Sequence, residues 1–157
     1  MKAIYVETAL YAYPKLKNEI DACDKYILRK AIGSVYNYNQ PCEELCNKLV
    51  QLINRKKSLL QLKLMIEDIL PKLTDNTRGH IFATYFYWIY VPVGDTRSRT
   101  RKRKRADAVI KQIGEQLELL NCNNQWFEED LLKINFMRSC LNKAKRIKAR
   151  EEAALGE

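Results

Sequence analysis

Apolar residues recur along this chain at steps of three and four and never alternate over a sustained stretch, so the pattern predicts helix after helix. Pro14 opens the first, at a position where a missing N–H costs nothing, and Leu16, Ile20, Cys23, Ile27 and Ala31 form its stripe until Gly33 and Ser34 stop it. Tyr36 to Gln40 reads as a polar, Asn-rich turn. Pro41 begins a second helix with Leu45, Cys46, Leu49, Val50 and Ile53 on one face, and Asn54 to Lys57 is a break. The third carries Leu59, Leu62, Ile66, Ile69 and Leu73, a steady seam that Pro71 kinks or ends.

Thr74 or Asp75 caps a fourth helix through Ile81, Tyr85 and Trp88, and Val91 to Thr96 (VPVGDT) is a loop by its Pro and Gly. The fifth helix starts near Ser98 and ends near Leu120, with Ala106, Val109, Ile110, Ile113, Leu117 and Leu120 on its apolar face. After a break at Asn121 to Asn124, the last starts near Trp126 and runs through Leu131, Ile134, Met137 and Leu141. It fades into a charged end, Lys143 to Glu152. The expectation is an all-α fold, residues 1–157 forming a single-domain bundle of about five or six helices. No apolar stretch reaches the ~18 residues a membrane span needs.

Charge changes the picture. The net charge is +9, and seven basic residues fall between positions 97 and 105: Arg97, Arg99, Arg101, Lys102, Arg103, Lys104 and Arg105. No acid lies between Asp95 and Asp107, so intrahelical ion pairs do not account for the run. So dense a run repels itself in water and points to a polyanion. Ser98 and Thr100 favour a helix start and can add phosphate hydrogen bonds. On a helix, Arg97, Arg101, Lys104, Ala108 and Lys111 share the face opposite the apolar stripe, with Arg105 on its flank and Arg99 and Lys102 toward the core side. Since Arg99 and Lys102 cannot be buried unpaired, the first two turns are expected to extend past the body. The basic stretch is therefore the candidate nucleic-acid contact, duplex DNA being favoured. The alternatives are a solvated helix face and, for Arg101–Arg105, a nuclear-localisation signal.

Other chemistry is thin. Five cysteines make no disulfide framework and read as reduced thiols. Cys42 and Cys46, at i and i+4, fall short of the four ligands of a closed zinc site, and His80 is the only histidine. Glu128, Glu129 and Asp130 read as acids complementing a helix start. The many tyrosines, Tyr5, Tyr11, Tyr13, Tyr85, Tyr87 and Tyr90 among them, read as core, with base stacking as the alternative. No Gly-rich phosphate loop or nucleophile signature is present, so neither catalysis nor a cofactor or metal is expected. The first ten residues lack a secretory pattern, which with the thiols suggests the cytoplasm.

The segment KLTDNTRGHIFATYF, Lys72 to Phe86, resembles the opening of region 4 of sigma-70 factors and of related short phage activators. RSRTRKRKRADAVIKQI, Arg97 to Ile113, is similar to that family's recognition helix. The resemblance implies that Ser98 starts the recognition helix, Arg99 to Arg103 meet DNA, and Ala106 and Ile110 pack inward. It also extends the candidate nucleic-acid-binding part to residues 72–120 and implies transcription regulation, with RNA polymerase or another protein as a second partner. The family's middle helix has no counterpart in Tyr87 to Thr96, so the helix-turn-helix is shortened. YVETALYAYPKL and WFEEDLL are similar to segments of small uncharacterised proteins of Gram-positive anaerobes, a resemblance that implies a bacterial cytoplasmic protein. Against the DNA-binding regulator stands a helical protein-interaction adaptor whose basic surface is incidental.

Overall fold

Helix α1, Ala3–Tyr36, begins well before Pro14 and carries that proline in its interior. Tyr5, Val6, Ala9, Leu10, Ala12 and Leu16 are all buried, so both sides of the proline are clamped by packing. An interior proline costs roughly 3 kcal/mol, and burying several large side chains at about 1.5–3 kcal/mol each outweighs it. The computed structural model describes residues 1–36, 42–86 and 96–156, and of 34–36, 96–103 and 155 it describes the backbone alone. Gly33 does not stop α1, and the expected turn at Tyr36 to Gln40 lies, from residue 37 on, outside the described residues.

Helix α2, Cys42–Ile69, runs unbroken through Asn54 to Lys57. Those polar residues are good enough helix formers, and Lys56 ties the helix to α1 through Asp24 at 2.5 Å. Pro71 sits in the 3-10 turn Leu70–Lys72 that ends α2, where it has no N–H to contribute. Thr74 then caps α3, Asp75–Ile81, its hydroxyl accepting from the Thr77 N–H at 3.3 Å. A π-helical stretch, Phe82–Phe86, extends α3 and brings Tyr85 onto Tyr11 and Phe86 onto Tyr13, ring centroids 4.9 Å apart in each pair. Trp88 and residues 91–95 of the expected loop lie outside the described residues.

Helix α4, Thr96–Leu119, includes the whole basic run. Its end is a Schellman turn: Asn121 takes φ 64°, its N–H donates to the Glu118 carbonyl, and the Cys122 N–H donates to the Leu117 carbonyl. Asn123 caps the short α5, Asn124–Trp126, which continues as a π-helical stretch, Phe127–Leu131. Helix α6, Asn135–Leu155, follows a break at Ile134, so the expected last helix is two elements.

Two apolar layers share α1. One joins its Tyr5, Ala9, Ala12, Leu16, Ile20 and Cys23 to Leu59, Leu62 and Ile66 of α2 and to Phe127, Leu131 and Met137. The other joins Val6, Leu10 and Tyr11 to Ile81, Tyr85 and α4's Val109, Ile110, Ile113 and Leu117. The first half of α1 is thus the central helix of an all-α, single-domain fold of six helices, with no strand among the described residues. Thr8, buried with it, satisfies its hydroxyl on the Ile4 carbonyl at 2.6 Å. Among the described residues no helix is long and apolar enough to cross a membrane.

Candidate nucleic-acid interface

Helix α4 has two halves with opposite fates. From Val109 on, apolar residues at helical spacing drive it onto α1, and Val109, Ile110, Ile113 and Leu117 are buried there. Gly114 lets the helices approach closely, since a Cβ at that position would lie 3.3 Å from Val6 Cγ2. From Thr96 to Arg103 the sequence offers basic and hydroxyl side chains alone, with nothing a core could take. The backbone is helical throughout. The covered half therefore holds the axis along which the cationic half is presented.

Lys104, Arg105, Ala108 and Lys111 are exposed, in agreement with the outward face read from the sequence, and Ala106 is half-buried at its edge. The side chains of Arg97, Ser98, Arg99, Thr100, Arg101, Lys102 and Arg103, and with them the expected directions of Arg99 and Lys102, lie outside what the structure describes. No acid occupies the first turn of α4. The positive end of the helix dipole therefore coincides with the densest positive charge in the chain, an arrangement unfavourable in isolation and relieved by an anion.

Helix α3 lies beside this region. His80 is half-buried and its Nε2 is enclosed without a hydrogen-bond partner among the described residues. Burial, and then the charge of Arg105, hold its pKa below the usual histidine value, so it stays neutral near pH 7. Spacing alone carries no sign that Arg105 of α4 acts on His80 of α3.

On another flank, the Tyr85 hydroxyl donates to Glu7 at 3.5 Å. Burial, followed by Glu151 and more weakly Asp107, raises the Glu7 pKa, while Lys148 and the Tyr85 hydrogen bond oppose that rise. Along α4 itself the basic residues precede Asp107, with Lys111 as the exception.

The remaining candidates resolve into structural roles. Tyr5, Tyr11 and Tyr85 are buried, which removes them from base stacking, and Tyr87 and Tyr90 lie outside the described residues. The Tyr5 hydroxyl donates to Glu128 at 2.6 Å, so one member of the acidic trio has a partner on α1 beyond any helix-start effect. Lys2 and Tyr5 together hold the Glu128 pKa down, the tyrosine hydrogen bond being the larger cause. Cys23, Cys122 and Cys140 are buried, and burial pushes the Cys122 thiol up to about 12. Cys42 and Cys46 are exposed and adjacent on α2, but among the described residues no group of three or more His, Cys, Asp or Glu side chains is arranged to hold a metal. Lys145, Arg146, Lys148 and Arg150 of α6 are exposed and extend the positive surface. The Leu59, Leu62, Ile66 and Ile69 seam is core and presents nothing to a partner.

Comparison of the chain with protein-family models, curated proteins and solved structures finds no match.

Proposed function

We propose that this protein is a cytoplasmic nucleic-acid-binding protein, without catalytic activity of its own, that grips duplex DNA through the first half of α4. In its more specific form the reading is a sigma-like transcription regulator, with Ser98 near the start of a recognition helix and RNA polymerase or another protein as a second partner. One observation carries it: seven cations in the nine positions from 97 to 105, without an intervening acid, sit on a helix whose other half is locked into the core. A rigid cationic helix bound at one end suits a major groove, and phosphate contact offsets the repulsion that the run creates in water.

The test is a titration of the full chain against mixed-sequence duplex DNA over a range of salt. With about five phosphate contacts, log affinity falls against log salt with a slope near −4 to −5. Absence of binding at ~50 mM salt overturns the proposal. The adaptor reading has one observation in its favour, the large apolar residues left exposed on α1 and α2, including Leu28, Ile32, Val50 and Ile53. It gains if the DNA titration fails.

A further inference from the structure

The cysteines of this chain divide into two environments. Cys23, Cys122 and Cys140 are buried, and burial is the first cause that raises the pKa of each thiol. Cys42 and Cys46 are exposed at the start of α2, four residues apart and so one turn apart on one face. Their thiols are hydrogen-bonded to one another, which is the main cause that raises the Cys46 pKa. The pair does not close on itself while the turn is helical. Cβ atoms four residues apart on a helix lie about 5–6 Å from one another, whereas a disulfide needs about 3.5–4.5 Å. The helix therefore holds the two sulfurs as an open dithiol, side by side and reachable from solvent.

The number of ligands selects the guest. Thiolates favour soft centres: monovalent copper, zinc and iron–sulfur clusters. A closed zinc site takes four ligands, and so does the usual iron–sulfur cluster. Among the described residues no third His, Cys, Asp or Glu joins the pair to hold a metal. The sequence from Lys25 to Pro41, which precedes it, contains none of these residue types. Monovalent copper, a filled-shell ion with no demand for four ligands, is held by two thiolates alone. Two thiols one turn apart act as a chelate, since the second meets the ion intramolecularly once the first holds it. Binding releases the two thiol protons and leaves a bis-thiolate complex with one negative charge. Copper stays monovalent throughout, so no oxidant or reductant is consumed. The three other thiols do not compete, because burial keeps them protonated and out of reach.

We infer that Cys42 and Cys46 form a soft-metal site at the start of α2, which takes one monovalent copper ion between two thiolates. The bound ion staples the first turn of a stretch that packing holds loosely, since residues 42–58 include no buried side chain. The inference is independent of DNA binding, and its measurements are made without nucleic acid.

Monovalent copper is titrated without oxygen into the full reduced chain, in competition with the chromogenic chelator bicinchoninate. The chain should withdraw one ion per molecule from the chelator, and the complex should sediment as a monomer. Cys42→Ser and Cys46→Ser should each weaken binding at least about a hundredfold, because each removes the chelate. Both alter exposed positions, so helical circular dichroism should stay unchanged. Cys46→Ser combined with Asn47→Cys again has two thiols at exposed positions but sets them about 140° apart around the helix. It should bind no better than the single-thiol variants. A wild-type chain that takes no copper from the chelator overturns the inference. So does full affinity in either serine variant, or rescue by Asn47→Cys. A complex that sediments as a dimer overturns it too, since that marks four thiolates shared between two chains.

Discussion

The two ends of the α1–α2 pair are built from similar residues and treated in opposite ways. Toward the body, Leu16, Ile20 and Cys23 of α1 are buried against Leu59, Leu62 and Ile66 of α2. Beyond that point, residues 24–33 and 42–58 include no buried side chain, although Leu28, Ile32, Val50 and Ile53 lie among them. The arm is held by one half-covered seam, Ile27 on α1 and Leu45, Leu49 and Leu52 on α2, and by the Asp24–Lys56 ion pair. Apolar content therefore does not decide burial here. The number of neighbouring helices does: the body end is covered by α4, α5 and α6, and two helices alone can cover only one stripe of each other. Helix α4 is the converse case, in which residue content does divide the helix: the half with Val109, Ile110, Ile113 and Leu117 is buried, and the half from Thr96 to Arg103 gives a core nothing to take.

The contrast can be broken most sharply by matched truncations. Leu62→Ala removes a wholly buried side chain and should cost about 2–5 kcal/mol in denaturant unfolding. Leu28→Ala, at a position 60% exposed, should stay within about 0.5 kcal/mol of wild type. Equal costs would mean that the arm is packed as firmly as the body. The two α4 halves are sharpened by binding measurements. Arg101→Ala should relax sequence preference by about 1–3 kcal/mol at one base position, whereas Lys111→Ala should weaken all duplexes alike and flatten the salt slope by about one unit. Selection from random DNA followed by titration of both variants separates these outcomes. Equal effects with no enriched sequence would reduce α4 to a polyanion grip.

Two smaller effects follow from titration. A folded His80 pKa below 6.5 means that the unfolded chain binds the proton first. Stability is then retained above about pH 6.5 and falls as pH drops through the folded-state value. His80→Gln should remove that slope from melting curves taken between pH 5 and 7. Glu7 has the opposite sign. Its raised pKa makes the folded state hold a proton that the unfolded chain has released, so stability declines as pH rises from about 4.5 through the folded value. Glu7→Gln should flatten that limb, and a wild type indistinguishable from it would show Glu7 to be solvated.

Much of this organisation is local and can be read from the order of residues. Helical spacing foretold α4's covered face, Thr74's hydroxyl foretold the start of α3, and Asn121 to Asn124 foretold a break. Each depends on groups within a turn or two of one another. The basic run's membership in a helix belongs here too, since Thr96 to Arg105 contains no breaker and continues straight into the apolar stripe. The tertiary structure decided the rest. Pro14 is an interior residue because packing on both sides exceeds its cost, and Asn54 to Lys57 is no break because α1 lies alongside to hold it. Above all, α2 offers two seams of comparable period, of which Leu59, Leu62, Ile66 and Ile69 are buried and Val50, Ile53, Leu60 and Leu64 are exposed. Periodicity can say that a helix has a face to bury but not which neighbour arrives to bury it, because that depends on the placement of helices remote in sequence.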